Sequence, residues 1–515
     1  MPINARSPML RKAALAAMAA VLGLAGCTDL SENPPSAITP SNFFQNDAQV
    51  QSALAGVYSG LRAAQGDYWA ISQTSSDETI VPTRGTDWAD GGQWVELWTH
   101  TYGPNSGAGN QTINGSYSAL SSSIAKANAV LQALGASSSP AAKQGIAEAR
   151  VLRAYFYYLL QDAFGGVPIV TEPGVASQPR ATRDSVVRFI ANEIHAARPD
   201  LKVSFDASGH GRVTQGAADA ILANLYLNWH IYTGNLTSSS FTPGTARYDS
   251  VIVVTDRILN SAAGYQLAPD SAGWIHNFAY NNQDSKENIF VVRNVPVDGL
   301  GLDFINRAGH YNQYASPGGW NGFSMIADTY AQYNTGDARR SVIQVGQARS
   351  LDFNLPIKTR AGDPLIFVPV QSLTAAAENE GYRVFKFGYD PNHVERYMGN
   401  DFTLFRLGGV LLDRAEALYK SGQPGPALTI LNQLRARVYT PPQPLSGTIT
   451  DAVMLRERLN ELTNEGKRRQ DMIRLGAYGL PKQFKATTDA AYKMLFPIPL
   501  NQLQANPLLT QNPGY

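Results

Sequence analysis

A chain of 515 residues, 44% hydrophobic and 16% charged, is long and apolar enough to bury a large core, which excludes an intrinsically disordered protein. Its formal charge is +1, and the lysines and arginines are scattered, so it lacks the clustered basic surface that a nucleic-acid partner needs. A single cysteine excludes an internal disulfide framework, while 45 glycines and 30 prolines predict many turns and long surface loops.

Arg6, Arg11 and Lys12 precede an apolar run, 13–25, of about 13 residues. That is the length of a secretory h-region and too short to span a bilayer, which takes about 20. Leu24-Ala25-Gly26-Cys27 then closes the run in a pattern that resembles a bacterial lipobox. On this reading residues 1–26 are a signal peptide and Cys27 becomes the acylated first residue. Two or more acyl chains, at about 0.8 kcal/mol per buried CH₂, hold a protein stably on a membrane. Residues 27–42 are polar and proline-containing, as a flexible tether would be.

Folding is expected from about residue 43, where Val50, Leu54, Val57, Tyr58 and Leu61 form the first helical stripe. The next segment, 67–102, holds four of the seven tryptophans. Trp94 and Trp98, four residues apart beside Val95 and Leu97, read as the buried face of a helix. Trp88 lies instead in the polar, glycine-rich loop 84–92. An indole there either folds back on its own domain or stacks on the C–H face of a sugar, with Arg84 and Asp87 bracketing adjacent hydroxyls. Asp87 and Asp90 lack the alternating acidic series of a calcium loop.

Further helices are predicted over 113–134, 144–164 (stopped by Gly165-Gly166), 183–198, 213–232 and 248–260. From 264 to 396 the pattern changes to short β-like runs, such as 287–294 and 381–388, among Gly, Pro and Asn turns. Within that stretch Trp320 stands on a Pro317-Gly-Gly turn beside Asn321, with Tyr311 and Tyr314 close by, so it repeats the theme of Trp88. Asp337 to Arg340 reads as a charged structural turn.

The stretch 401–438 reads as two antiparallel helices. Asp401 is the expected N-cap of the first, Leu404, Leu407, Leu411 and Leu418 form its stripe, Gly422 ends it, and Pro424 opens the second. Two wide apolar stripes demand neighbours on both sides, as in stacked tetratricopeptide-type hairpins, although the related hairpins here are not spaced at a fixed period near 34. Glu457, Glu461 and Glu465 fall on one face of 456–474. They are surrounded by arginines and a lysine, which predicts an ionised, salt-bridged network rather than the raised-pKa acid of a glycosidase. No HExxH, GxSxG, P-loop or GxGxxG is present, so no metal ligand, catalytic residue or cofactor is assigned.

The C-terminal stretches ERLNELTNEGKRRQDMIRLGAY (457–478) and LFPIPLNQLQANPLLTQNPGY (495–515) resemble the end of SusD/RagB-family outer-membrane lipoproteins. The likeness continues through the lipobox and the stretches 43–62, 147–170, 211–227 and 405–422, in the family's order. The resemblance implies a mainly α, tetratricopeptide-like scaffold with an irregular, loop-rich insertion of short β-strands. Its helical pairs would occupy about 43–263 and 401–438, the ligand-face insertion about 264–400, and a capping segment 439–515, all in one domain. It also implies a non-catalytic receptor, lipid-anchored on the outer membrane of a Gram-negative bacterium and facing outward. Such a receptor acts as a lid on a TonB-dependent (SusC-like) barrel and delivers nutrients to it, usually oligosaccharides.

Ligand residues follow no fixed motif in this family, so the resemblance gives location only: the segment after the first helix and the insertion. The candidate site is Arg84, Asp87, Trp88, Tyr311, Trp320 and Asn321. The alternatives are a peptide-capturing member, a lipoprotein that binds a partner without a small ligand, and a surface glycosidase using Glu461. One departure from the family pattern, Gly408-Gly409, is expected to mark a close helix contact.

Overall fold

Several helices begin where a short polar side chain satisfies the free N–H groups of the first turn. Asn46 caps α1 (Asp47–Tyr58) by accepting from the Gln49 amide at 3.0 Å. Two shorter helices follow, α2 (Asp67–Thr74) and α3 (Gln93–Thr99). Then come the two longest, α4 (Gly109–Leu134) and α5 (Pro140–Phe164), the latter capped by Ser139 with proline in its first turn. Thr182 caps α6 (Arg183–Ala197), and Thr214 caps α7 (Gln215–Leu227). The order continues with α8 (Tyr248–Leu259), α9 (Leu407–Lys420), α10 (Pro424–Ala436), α11 (Asp451–Leu462) and α12 (Arg468–Arg474).

These assignments come from a computed structural model that describes residues 44, 46–104, 109–315 and 317–515. The signal peptide, Cys27 and tether expected over 1–42 lie outside the described residues. Residues 44–515 form one compact unit.

The helices stack as the hairpin reading predicts. α4 packs on α5, α5 on α6, α7 on α8, α8 on α9, and α9 on α10. Helix α5 is the axis of this stack. Val151, Leu152, Tyr155, Phe156, Leu159 and Leu160 are all buried, which accounts for the near absence of polar residues along that stretch. Gly165, at φ 76°, stops it in a backbone conformation that favours glycine.

The structure departs from the sequence reading at 401–406. Phe402–Arg406 is a strand, paired antiparallel with Asn288–Val292, and α9 begins only at Leu407. All five residues of the later strand are buried. A fully buried strand shows no polar alternation, so its leucine and phenylalanines mimic the start of a helical stripe. Asp401 is therefore not an N-cap. Its carboxylate accepts from the Asn294 amide at 2.8 Å and pairs with His210 at 2.6 Å.

The predicted helix 456–474 is likewise divided. A turn at 463–467, with Asn464 at φ 65° and Gly466 at φ 73°, separates α11 from α12 and leaves Glu465 off the face that carries Glu457 and Glu461. Glu461 and Glu465 are ion-paired as expected, but with partners from outside 456–474, while Arg458, Arg468, Arg469 and Arg474 of that stretch pair with Asp413, Asp77, Asp162 and Glu416. Buried Glu461 pairs with Arg406 at 2.7 Å, Arg339 at 3.0 Å and Arg437. Glu287 pairs with Arg406 and Arg437, each at 2.6 Å, and Glu465 with Lys386 at 2.5 Å. Although burial opposes ionisation, Arg437, Arg406 and Arg339 together hold the Glu461 carboxyl far below the usual carboxylate range. This network also accounts for Gly408: a Cβ there would sit 2.4 Å from Arg406 Nη1 and 2.9 Å from Glu461 Oε1. The close helix contact expected of Gly408-Gly409 is therefore with α11: Gly408 lies against the Glu461 carboxylate and its arginine partner, and a Cβ on Gly409 would fall 3.6 Å from Leu462. Asp337 to Arg340 is a tight 3₁₀ turn in which Asp337 caps the Arg339 amide and pairs with its guanidinium.

Apart from the strand Asn288–Val292, the stretch 264–400 is irregular, with strand pairings of only two residues, such as 343–344 with 383–384 and 346–347 with 366–367. Its loops fold back over α2 and α3, where Trp69 stacks on Phe304 with ring centroids 4.1 Å apart.

Candidate functional site

Two segments far apart in sequence, 84–94 and 309–323, fold against one another. The Trp88 indole lies 6.4 Å from that of Trp320, 5.8 Å from Trp94 and 5.3 Å from Phe323, measured between ring centroids. Its Nε1 donates to the Trp320 carbonyl oxygen at 2.7 Å. Trp88 sits at φ 59° and Asn321 at φ 55°, so both segments turn sharply at the contact. Glycines make room for it: a Cβ on Gly322 would fall 2.2 Å from the Trp88 ring, and one on Gly319 would fall 1.9 Å from the Gly309 carbonyl oxygen.

Trp88 is half-buried, packed between Trp94, Phe323 and Trp320, whereas Trp320 keeps 37% of its surface exposed. Trp88 thus follows the first of its two readings, folded back on its own domain, while Trp320 presents an aromatic surface to solvent. Trp94 and Trp98 are buried, as their spacing predicts.

The polar candidates separate in the same way. Tyr311 is half-buried and donates from its hydroxyl to the carboxylate of Asp87, also half-buried. Burial, helped by that carboxylate, pushes the Tyr311 phenol above its usual pKa. Asp87 and Trp88, adjacent in sequence, therefore hold Tyr311 and Trp320, the two ends of one loop.

Arg84 and Asn321 do not face outward as expected. The Arg84 guanidinium is buried and donates to the carbonyls of Asn321 and Glu380, each at 2.7 Å, and to Ser324 Oγ at 3.2 Å. Burial draws its pKa down to about 10, which still leaves it cationic. The buried Asn321 side chain donates to the Glu378 carbonyl at 2.8 Å and accepts from Arg383 at 2.5 Å. Both serve as internal braces, because a loop with many turns leaves carbonyls without backbone partners and a guanidinium can satisfy several of them.

Charged groups around the patch were not evident from the sequence. Arg360 lies 4.1 Å over the Tyr311 ring and pairs with Glu378 at 3.0 Å. Arg396 lies 4.5 Å over the Tyr397 ring and 5.7 Å from that of Trp320. Beneath them burial pushes His310 down to about 4, and its Nδ1 accepts from the Asn312 amide at 3.1 Å, so the ring is neutral at pH 7. Such stacking partners have no fixed sequence spacing, and only the folded loops bring them together.

Elsewhere on the molecule, a cleft of about 570 Å³ is lined by residues including Phe205, His210, Tyr265, Lys286 and Arg293, and contains none of the tryptophans. Among the described residues no group of three His, Cys, Asp or Glu side chains is placed to hold a metal ion, and no helix is long and apolar enough to cross a membrane.

A stacked-hairpin scaffold with an irregular insertion, here bearing an aromatic patch, is an architecture that comparison with known proteins also finds elsewhere. Residues 369–515 match the model of the SusD family, and residues 30–227 match a model described as starch-binding associating with outer membrane. SusD-like protein P2 of Formosa agariphila is 24% identical, with 96% of this chain and 98% of that protein aligned. The starch-binding protein SusD of Bacteroides thetaiotaomicron is 23% identical over 72% of each chain. A laminarin-binding SusD-like protein of known structure superposes with a TM-score of 0.73 at 22% identity, covering 92% of this chain and all of that one. The chain belongs to the SusD/RagB family.

Proposed function

We propose that this protein is a non-catalytic glycan receptor whose binding surface is built on Trp320. The observation that carries the reading is the exposed indole of Trp320, with its backbone fixed by the Trp88 hydrogen bond. A flat ring with only two side-chain torsions, carried on a fixed stretch of backbone, loses little freedom when a sugar stacks on it, which favours binding by few contacts. Tyr311 and Asp87 lie at the other end of the same loop contact and supply polar edges. The starch- and laminarin-binding relatives support an oligosaccharide as ligand. Glu461, the acid a glycosidase would have used, is buried among guanidinium groups, and this supports binding without hydrolysis.

In this reading Cys27 is acylated after removal of 1–26, the protein stands outward on the outer membrane, and it passes captured glycan to a TonB-dependent barrel. The test is calorimetric titration of the protein with starch- and laminarin-type oligosaccharides and with mixed peptides, beside Trp320→Ala. Saturable binding of a glycan, lost in that variant with the fold intact, supports the receptor role. Binding of peptides alone, or glycan binding unaffected by Trp320→Ala, refutes the site. Labelling with a radioactive fatty acid, present in the native protein and absent from Cys27→Ala, tests the anchor.

A further inference from the structure

We infer that the glycan taken by this surface is acidic, and that Arg396 pairs with its carboxylate or sulfate while the sugar ring lies on Trp320. The inference rests on the glycan-receptor reading above and narrows its ligand class.

Arg396 is carried on a tight turn. The Val394 amide donates to the Tyr397 carbonyl at 3.1 Å and the Tyr397 amide returns a bond to Val394 at 2.9 Å. Glu395, between them, adopts φ 49°. The turn presents the Arg396 guanidinium to the Tyr397 and Trp320 rings at 4.5 and 5.7 Å, and Nη2 donates to the Tyr397 hydroxyl at 2.5 Å. The side chain is half-buried, yet among the described residues no carboxylate, that of neighbouring Glu395 included, lies within 4.0 Å of its nitrogens.

The surrounding charges emphasise this. Arg360 makes the equivalent stack on Tyr311 but is compensated by Glu378. Asp87 accepts from the Tyr311 hydroxyl, and Asp90 accepts from Trp94 Nε1 at 2.7 Å. Of the arginines that touch the patch's rings, Arg396 is the one whose charge is unmatched.

A guanidinium has five N–H donors in a planar fork. Held beside aromatic rings it keeps its charge, and one bond to Tyr397 leaves most of its donors for a ligand. A carboxylate or sulfate fits that fork with two parallel charge-assisted bonds, whereas a hydroxyl offers a single neutral one. A neutral sugar stacked on Trp320 would leave the half-buried cation without a counter-charge. The geometry thus distinguishes glycans by charge at the margin of the stacking ring.

The test titrates the full chain with matched probes: oligogalacturonate against its methyl ester, a sulfated galactan oligosaccharide against its desulfated form, and neutral laminarihexaose. The expected result is roughly tenfold or greater preference for an acidic member over its neutral twin, the scale of one charge-assisted pair. Raising the salt concentration should shrink this gap. Arg396→Gln should bring the twins to equal affinity at unchanged melting temperature, Arg396→Lys should retain part of the gap, and Trp320→Ala should abolish binding of both. Preference for the uronate alone or the sulfate alone identifies which anion is recognised. Equal binding of the twins, unchanged in Arg396→Gln, overturns the inference and leaves the glycan reading standing. Failure of every glycan to bind overturns both.

Discussion

Trp88 and Trp320 are joined by a hydrogen bond of 2.7 Å across 232 residues of sequence, from the indole nitrogen of one to the carbonyl of the other. The bond fixes the backbone of the exposed tryptophan, not its ring, so it sets where the platform stands. Trp88→Phe keeps most of the packing against Trp94 and Phe323 but removes the donor. The expected outcome is a loss of about 1 kcal/mol in stability, typical of one hydrogen bond, together with a several-fold loss of glycan affinity. Chemical denaturation and calorimetric titration read the two separately. Unchanged affinity would mean that Trp320 holds its position without Trp88.

Gly322 gives a sharper test of the same contact. An added Cβ would fall 2.2 to 2.7 Å from three atoms of the Trp88 ring, too close for any real side chain. Gly322→Ala should therefore push Trp88 aside and destabilise the protein by about 1–3 kcal/mol, as overpacking does. Intrinsic fluorescence should shift to longer wavelength as the displaced indoles meet water, and glycan binding should weaken with it. Retention of the native spectrum and full affinity would show that the loops yield freely at this point.

The helical frame was legible because amphipathic stripes and caps are local signals. The stripe of α5, the glycine that stops it and the buried pair Trp94 and Trp98 all follow from spacing along one helix. Legibility failed where burial erased the pattern: the strand 402–406 is buried on both faces, so it lacks the alternation that distinguishes strand from helix. It failed again where a polar residue in a loop could serve either solvent or the interior. Arg84 and Asp87 are three residues apart in the same glycine-rich loop, yet one is buried under carbonyls and the other lies beside Tyr311. Nothing in the local sequence separates those fates, because the carbonyls that claim Arg84 belong to residues near 321 and 380. Arg396 escaped notice for the same reason.

The ionic network beneath α9 and α11 predicts a stability effect and no catalytic one. Glu461→Gln would leave Arg406, Arg437 and Arg339 facing one carboxylate fewer in a buried setting. Removing one partner of a buried pair typically costs about 3–5 kcal/mol. A shift of the urea midpoint of that order is expected, and wild-type protein should release no reducing sugar from a glycan that it binds. Detectable hydrolysis, lost in Glu461→Gln with the midpoint unchanged, would instead make this carboxylate catalytic.

Glu78 predicts a pH dependence of stability. Its Oε1 accepts from Gln73 Nε2 at 2.7 Å and from the Asn464 amide, tying the end of α2 to the turn between α11 and α12. Burial nevertheless dominates and pushes its carboxyl up to about 7. The folded-state pKa thus lies above the unfolded one, ordinarily about 4.3. The native protein holds this proton while the unfolded chain has lost it, so the contribution is fully present below about pH 4.3. It declines as pH rises to about 7 and is constant above that. Burial also holds His230 and His310 down to about 4, and because a buried neutral histidine is destabilised by acid, these two give the opposite slope between pH 4 and 6.5. The test therefore compares Glu78→Gln with wild type across pH 4 to 9, since the histidine terms are common to both and cancel. Relative to its value at pH 4, the variant should gain a few kcal/mol over wild type by pH 8, with the change concentrated between pH 4.5 and 7. A difference that does not vary with pH would show that Glu78 titrates alike in the folded and unfolded chains, and that its bonds to Gln73 and Asn464 offset its burial.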